Sequence, residues 1–150
     1  MIDYLDQVDP EAAAAARQRY GCLKPWRGDP AVYGRIAMRE GHARCGAGVA
    51  STLRELFARQ GDYAANDGDD FLDAAQNERL VASAEAYYRA MYYGSAASWN
   101  LRDEHMFDTL DLLMRSKGPE AKAVVWAQNI HIGDARFTDM GESRDELNLG

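Results

Sequence analysis

The sequence predicts a mostly α-helical chain that carries one buried strand belonging to a larger α/β fold. Three observations point there. Apolar residues recur at helical spacing through residues 70–93, two Asp-Pro pairs stand where helices open, and a single short apolar run occupies 123–127. The 150 residues fit one domain. They divide into a helical part, 1–118, and a strand with a polar loop, 119–150.

The elements follow in chain order. Residues 2–23 read as helix, with Pro10 at a first helical position and Gly21 at a stop. The segment "KPWRGDP" is a loop, and its closing Asp29-Pro30 opens another helix, Asp29 capping and Pro30 entering the first turn. "REGHARCGAG" is punctured by glycine, so a break is expected near 41–48. Helix resumes through "VASTLRELFARQGDYAA", and "NDGDD" forms a solvated turn. In the long helix of 70–93, Leu80, Ala84, Tyr87 and Met91 fall on one face and are expected to form the core stripe. A further helix runs from Asn100 to about Lys117, with Asn100 as cap and Asp103 completing a capping box. Met106, Leu110 and Leu113 make its inner face, and Gly118-Pro119 ends it.

Residues 123–127 then read as a strand buried on both faces. One strand cannot make a sheet, and the chain offers no neighbour of similar quality. The expectation is therefore an incomplete chain, or a protomer that borrows its sheet or self-associates. In open α/β sheets ligands bind beyond the carboxyl ends of strands, which is where Gln128, Asn129, His131 and Asp134 stand. His131 suits acid–base work near neutral pH, and Asn129 and Gln128 suit donation to an oxyanion. The competing reading makes Asn129 and Asp134 turn-formers and His131 a structural histidine.

Charge narrows the partners. The net charge is −7 with basic residues scattered, which argues against nucleic acid and against an anionic membrane surface. No apolar run approaches the roughly 20 residues of a membrane span, and the acidic N-terminus is not a signal peptide. Cys22 and Cys45 have no metal-ligand spacing and read as free thiols of a cytoplasmic protein, a single disulfide being the alternative.

Other residues invite a chemical reading. Arg102 and Asp103 make a second candidate: Arg102, placed in the first turn of its helix and facing inward, must find an anion, either a protein carboxylate or one on a substrate. Tyr88, Tyr92 and Trp99 are candidates for the wall of an apolar pocket, against the commoner core role of helical aromatics, which Tyr87 fits best. His42 and Cys45 share a helical face, but no further ligand or orienting carboxylate stands at a recognisable spacing, so no metal site is expected.

The segments "AEAYYRAMYY", "SWNLRDEHM" and "VVWAQNIHIGD" together resemble the erythromycin esterase family, also known as succinoglycan-biosynthesis-type proteins, and "YLDQVDPEAAAAARQRYGCLKPW" is similar to the helical stretch before them. The likeness covers nearly the whole chain and corresponds to the middle-to-late part of the family domain. It implies an α/β fold with a helical portion, and a cofactor-independent hydrolase of macrolide lactone esters conferring antibiotic resistance. The family's strand-end pattern is His-Asn-x-His; this chain keeps His131 and has Gln128 in place of the first histidine, which removes a proton-carrying group there. The family's general base, a histidine in a Gly-Glu-x-x-His-Gly-like segment, has no counterpart in these residues. By this resemblance His131, Asn129, Gln128 and Arg102 are the catalytic candidates. Trp99, Tyr88, Tyr92 and Asp134 are the substrate-binding candidates, and a small-molecule ester is the partner. The 150 residues alone are expected to open macrolides poorly or not at all. The alternative is a non-catalytic helical remnant or interaction module.

Overall fold

The computed structural model describes residues 1–39, 45–65 and 67–150. They form two compact units, Met1–Arg89 and Ala90–Gly150.

In the first unit the helix punctuation works as its chemistry requires. Helix α1 spans Ile2–Val8 and α2 spans Pro10–Tyr20. Asp9 separates them and caps α2 by accepting from Ala12 N at 3.1 Å. A 3-10 turn, Gly21–Trp26, follows, and Asp29 caps α3, Pro30–Ala37, through Ala31 N at 3.2 Å. Helices α4, Gly46–Ala58, α5, Gln60–Ala64, and α6, Gly68–Ala90, complete this unit. The expected break at 41–48 and His42 fall largely outside the described residues; α4 is already helical from Gly46.

The alanine run of α2 explains how the helices close up. Ala13 and Ala16 are wholly buried, and their small side chains admit Leu5, Leu56, Tyr63, Phe71 and Ala75 into one cluster. Arg19 on α2 grips Glu55 on α4 with both guanidinium nitrogens at 2.7 Å. A second cluster joins Tyr33, Ala37 and Cys45 to Leu23, Trp26 and Tyr88. Within it Cys22 and Cys45 are joined as a disulfide, which corrects the free-thiol reading and removes that support for a cytoplasmic site. Among the described residues no helix is long and apolar enough to cross a membrane.

Three buried carboxylates thread this unit, and each accepts a hydrogen bond from a tyrosine hydroxyl. Tyr63 donates to Asp9 at 2.6 Å and Tyr33 to Glu85 at 2.6 Å, while Tyr20 donates to Glu78. Burial, then the bonded carboxylate, pushes Tyr33 and Tyr63 up to about 12. Glu78 is fully buried with one oxygen unpartnered, and burial raises its pKa to about 7. These glutamates correct the expected core stripe. The buried face of α6 runs through Phe71, Ala74, Ala75, Glu78 and Glu85, while Leu80 is 52% exposed. A hydropathy pattern cannot register a glutamate that a distant phenol makes fit for the core.

The second unit holds α7, Ser95–Lys117, two 3-10 turns, Asn129–His131 and Ala135–Phe137, and α8, Asp139–Arg144. Helix α7 starts five residues before the expected Asn100, capped at Gly94, so the capping-box reading of Asn100 and Asp103 lapses. Leu113, expected on the inner face, is 41% exposed. The larger correction is the strand. Residues 123–127 form no strand, and no strand occurs among the described residues, so the α/β layout is not formed here. Val124 and Trp126 are 93% and 97% exposed. An apolar run with no neighbouring strand has nothing to pair its peptide groups or to cover its side chains.

Two stability outcomes follow from the buried carboxylates. Glu78 binds its proton more tightly folded than unfolded, so its favourable contribution is complete below about pH 4.5 and is lost as pH rises through about 7. Urea titrations should show stability falling by about 3 kcal/mol across that window, on the usual ~1.4 kcal/mol per pKa unit, and Glu78→Gln should flatten the slope. Asp9 is held below its usual range, chiefly by the Tyr63 hydroxyl, so its contribution is present above the ordinary Asp pKa and lost in acid. Asp9→Ala removes a cap and a charged acceptor and should cost about 2 kcal/mol at pH 7 by chemical denaturation, with the deficit narrowing toward acid pH.

Candidate functional site

Helix α7 sets the site because Trp99, Arg102 and Asp103 are spaced three and four residues apart and so share one face. His131 reaches that face from the 3-10 turn Asn129–His131, whose backbone is closed by His131 N donating to the Gln128 carbonyl at 2.8 Å. Gly133 follows with φ +106, a left-handed conformation that glycine adopts at no steric cost.

The last residues brace this arrangement. Leu149 N donates to the His131 carbonyl at 2.9 Å, and Leu147 N donates to Asn100 Oδ1 at 2.7 Å. Asn100 Nδ2 donates in turn to the Asp145 carbonyl at 2.9 Å, and the Trp99 indole N–H to the Leu147 carbonyl at 2.6 Å. The segment 145–149 is thereby strapped along α7 by two of its side chains.

At the centre, Asp103 Oδ2 lies 2.9 Å from His131 Nδ1, and the Asp103 side chain is wholly buried. Arg102 Nη2 lies 3.2 Å from His131 Nε2, and Arg102 Nε lies 3.6 Å from Asp103 Oδ1. The Trp99 ring stacks on the imidazole at 4.9 Å between centroids and 7° between planes, and the Arg102 guanidinium sits over the same indole at 4.5 Å.

These partners assign the tautomer. A guanidinium is a donor only, so the nitrogen facing it must carry the lone pair. A carboxylate is an acceptor, so Nδ1 must carry the hydrogen. The neutral Nδ1–H imidazole satisfies both contacts, with Asp103 fixing the ring and Arg102 occupying the basic nitrogen.

The sequence-derived candidates are distributed unevenly. Trp99, Arg102 and His131 converge. Arg102 does find an anion, although it lies two turns inside α7 rather than at its first turn, so a dipole argument does not apply. Asn129 and Gln128 are exposed at the turn beside His131. The Asp134 side chain caps the turn Ala135–Phe137 through Arg136 N at 3.1 Å and pairs with the Arg136 guanidinium, which holds its carboxyl below the usual range. Tyr92 is 39% exposed after the end of α6. Tyr88 belongs to the first unit, where it lines a separate cavity. Asp103 stands out in the sequence beside Arg102 and as a cap, but its role toward the histidine does not: its carboxylate lies 2.9 Å from His131 Nδ1. Asking which acid could fix His131 was the signal available. Among the described residues no group of His, Cys, Asp and Glu is gathered to hold a metal ion, and Cys45 is bonded to Cys22.

Comparison with protein families places the chain among hydrolases. The family model described as erythromycin esterase matches residues 1–150, and the chain belongs to the erythromycin esterase family. No solved structure matches the chain.

The Asp103–His131 pair has an energetic consequence. Removing the imidazole strands a buried carboxylate, and His131→Ala should cost about 3 kcal/mol. The double variant Asp103→Leu/His131→Ala should recover part of that loss, as read by urea denaturation monitored in the near-UV.

Proposed function

We propose that this protein is a carboxylic-ester hydrolase acting on macrolide-type lactones, with His131 as its proton-transfer group. The observation that carries the reading is the buried Asp103 carboxylate holding His131 Nδ1 at 2.9 Å, which leaves Nε2 facing the Arg102 guanidinium. An acyl carbonyl entering beside Trp99 competes for the Arg102 guanidinium and is polarised by it. Releasing Arg102 frees the Nε2 lone pair. Water then adds to the acyl carbon, the carbon–oxygen bond to the alcohol breaks, and His131 relays a proton from the water side to the departing alkoxide. Exposed Asn129 orients the carbonyl, and the Trp99 face lies against the apolar body of the lactone. These 150 residues hold no Gly-Glu-x-x-His-Gly-like segment, so the test on them includes an external base.

A second reading has its own support. Arg102 already occupies Nε2 at 3.2 Å, and the same contacts would make the cluster a structural clasp in a non-catalytic helical module. One experiment separates the two. The purified chain is incubated with erythromycin, with and without millimolar imidazole as an external base, and the ring-opened acid is followed by mass spectrometry. The esterase reading expects slow opening that imidazole raises, that His131→Ala returns to the buffer rate, and that Asp103→Asn lowers by about 100-fold. A folded chain giving no His131-dependent opening under either condition would leave the structural clasp.

A further inference from the structure

We propose that the first unit contains a second binding site, independent of the ester reading, for a single-chain amphiphile with an anionic head. A cavity of about 700 Å³ lies against the Gly21–Trp26 turn, the start of α3 and one face of α6. That volume is within the range of small-molecule sites, which run from about 300 to 1,000 Å³. Its walls are the side chains of Leu23, Trp26, Val81, Ala84 and Tyr88, which accept an alkyl chain and offer little to a compact polar solute.

Charge fixes the other end of the ligand. Lys24 and Arg27 both line the cavity and are both exposed, so they stand where it meets solvent. Neither forms an ion pair with another described residue, in a chain whose net charge is −7. Two cations at the mouth of an apolar cavity, unpaired among the described residues, complement an anionic head on an apolar tail. Glu85 also lines the cavity, but its carboxylate already accepts from Tyr33 at 2.6 Å and from Arg89 Nε at 3.3 Å, so its charge is answered within the protein. The walls therefore hold the chain while Lys24 and Arg27 select the head.

Calorimetric titration with decanoate, and with decanol as the neutral comparison, tests the site. Decanoate should saturate one site on the unaltered chain and bind more tightly than decanol. The surface variant Lys24→Gln/Arg27→Gln, which leaves the walls intact, should weaken decanoate by about tenfold or more while leaving decanol unchanged. Ala84→Trp, which fills the cavity, should abolish both. The proposal fails if decanoate does not saturate, or if it binds the charge-neutral variant as well as the original. It also fails if sedimentation shows a dimer that Ala84→Trp dissociates, since the cavity would then belong to a second copy of the chain.

Discussion

The second unit depends on a carboxylate with no exposure to water. Asp103 projects from the middle of α7, where an ionised side chain must be answered by a partner of suitable charge or hydrogen-bonding capacity. His131 supplies the hydrogen bond and Arg102 the nearby positive charge. Meeting that requirement fixes the path of the chain after α7, because the imidazole can reach Asp103 only if the turn Asn129–His131 returns to the helix. The strap at 145–149 then secures the turn through the His131 carbonyl and secures itself to Asn100 and Trp99. A single buried acid thus accounts for the convergence of four side chains and for the course of the C-terminal residues.

The first unit solves the same problem differently. Asp9, Glu78 and Glu85 are all buried, and a tyrosine hydroxyl bonds each of them. A phenol brings a donor together with a large apolar ring, so one side chain both packs and satisfies an acid. Two of the three acids have a guanidinium in addition, Arg59 on Asp9 and Arg89 on Glu85. Glu78 has none, and burial raises its pKa to about 7.

The features legible in the sequence were those with local causes. Asp9-Pro10 and Asp29-Pro30 open helices because the cap and the fixed proline φ act within a few residues. The polar group after the apolar run is recognisable as chemistry, and Trp99, Arg102 and His131 each stand out by residue type and position. A buried strand at 123–127 is expected but not formed because apolar composition says what a segment tolerates, not whether a neighbour exists to pair with it. Leu80 was misplaced because periodicity assumes that only apolar residues are buried.

The sequence by itself determined the helical character, the helix openings after Asp9 and Asp29, and the family to which the chain belongs, since these rest on short-range backbone preferences and on residue identity. Tertiary structure alone decided that Asp103 serves His131 instead of a cap, that glutamates lie in the core, that Cys22 joins Cys45, and that residues 123–126 stay exposed. Those outcomes depend on partners 28 residues away for Asp103, 58 for Glu78 and 23 for Cys22. A buried polar group is stable only in the presence of its partner, and no local pattern records which distant side chain will arrive.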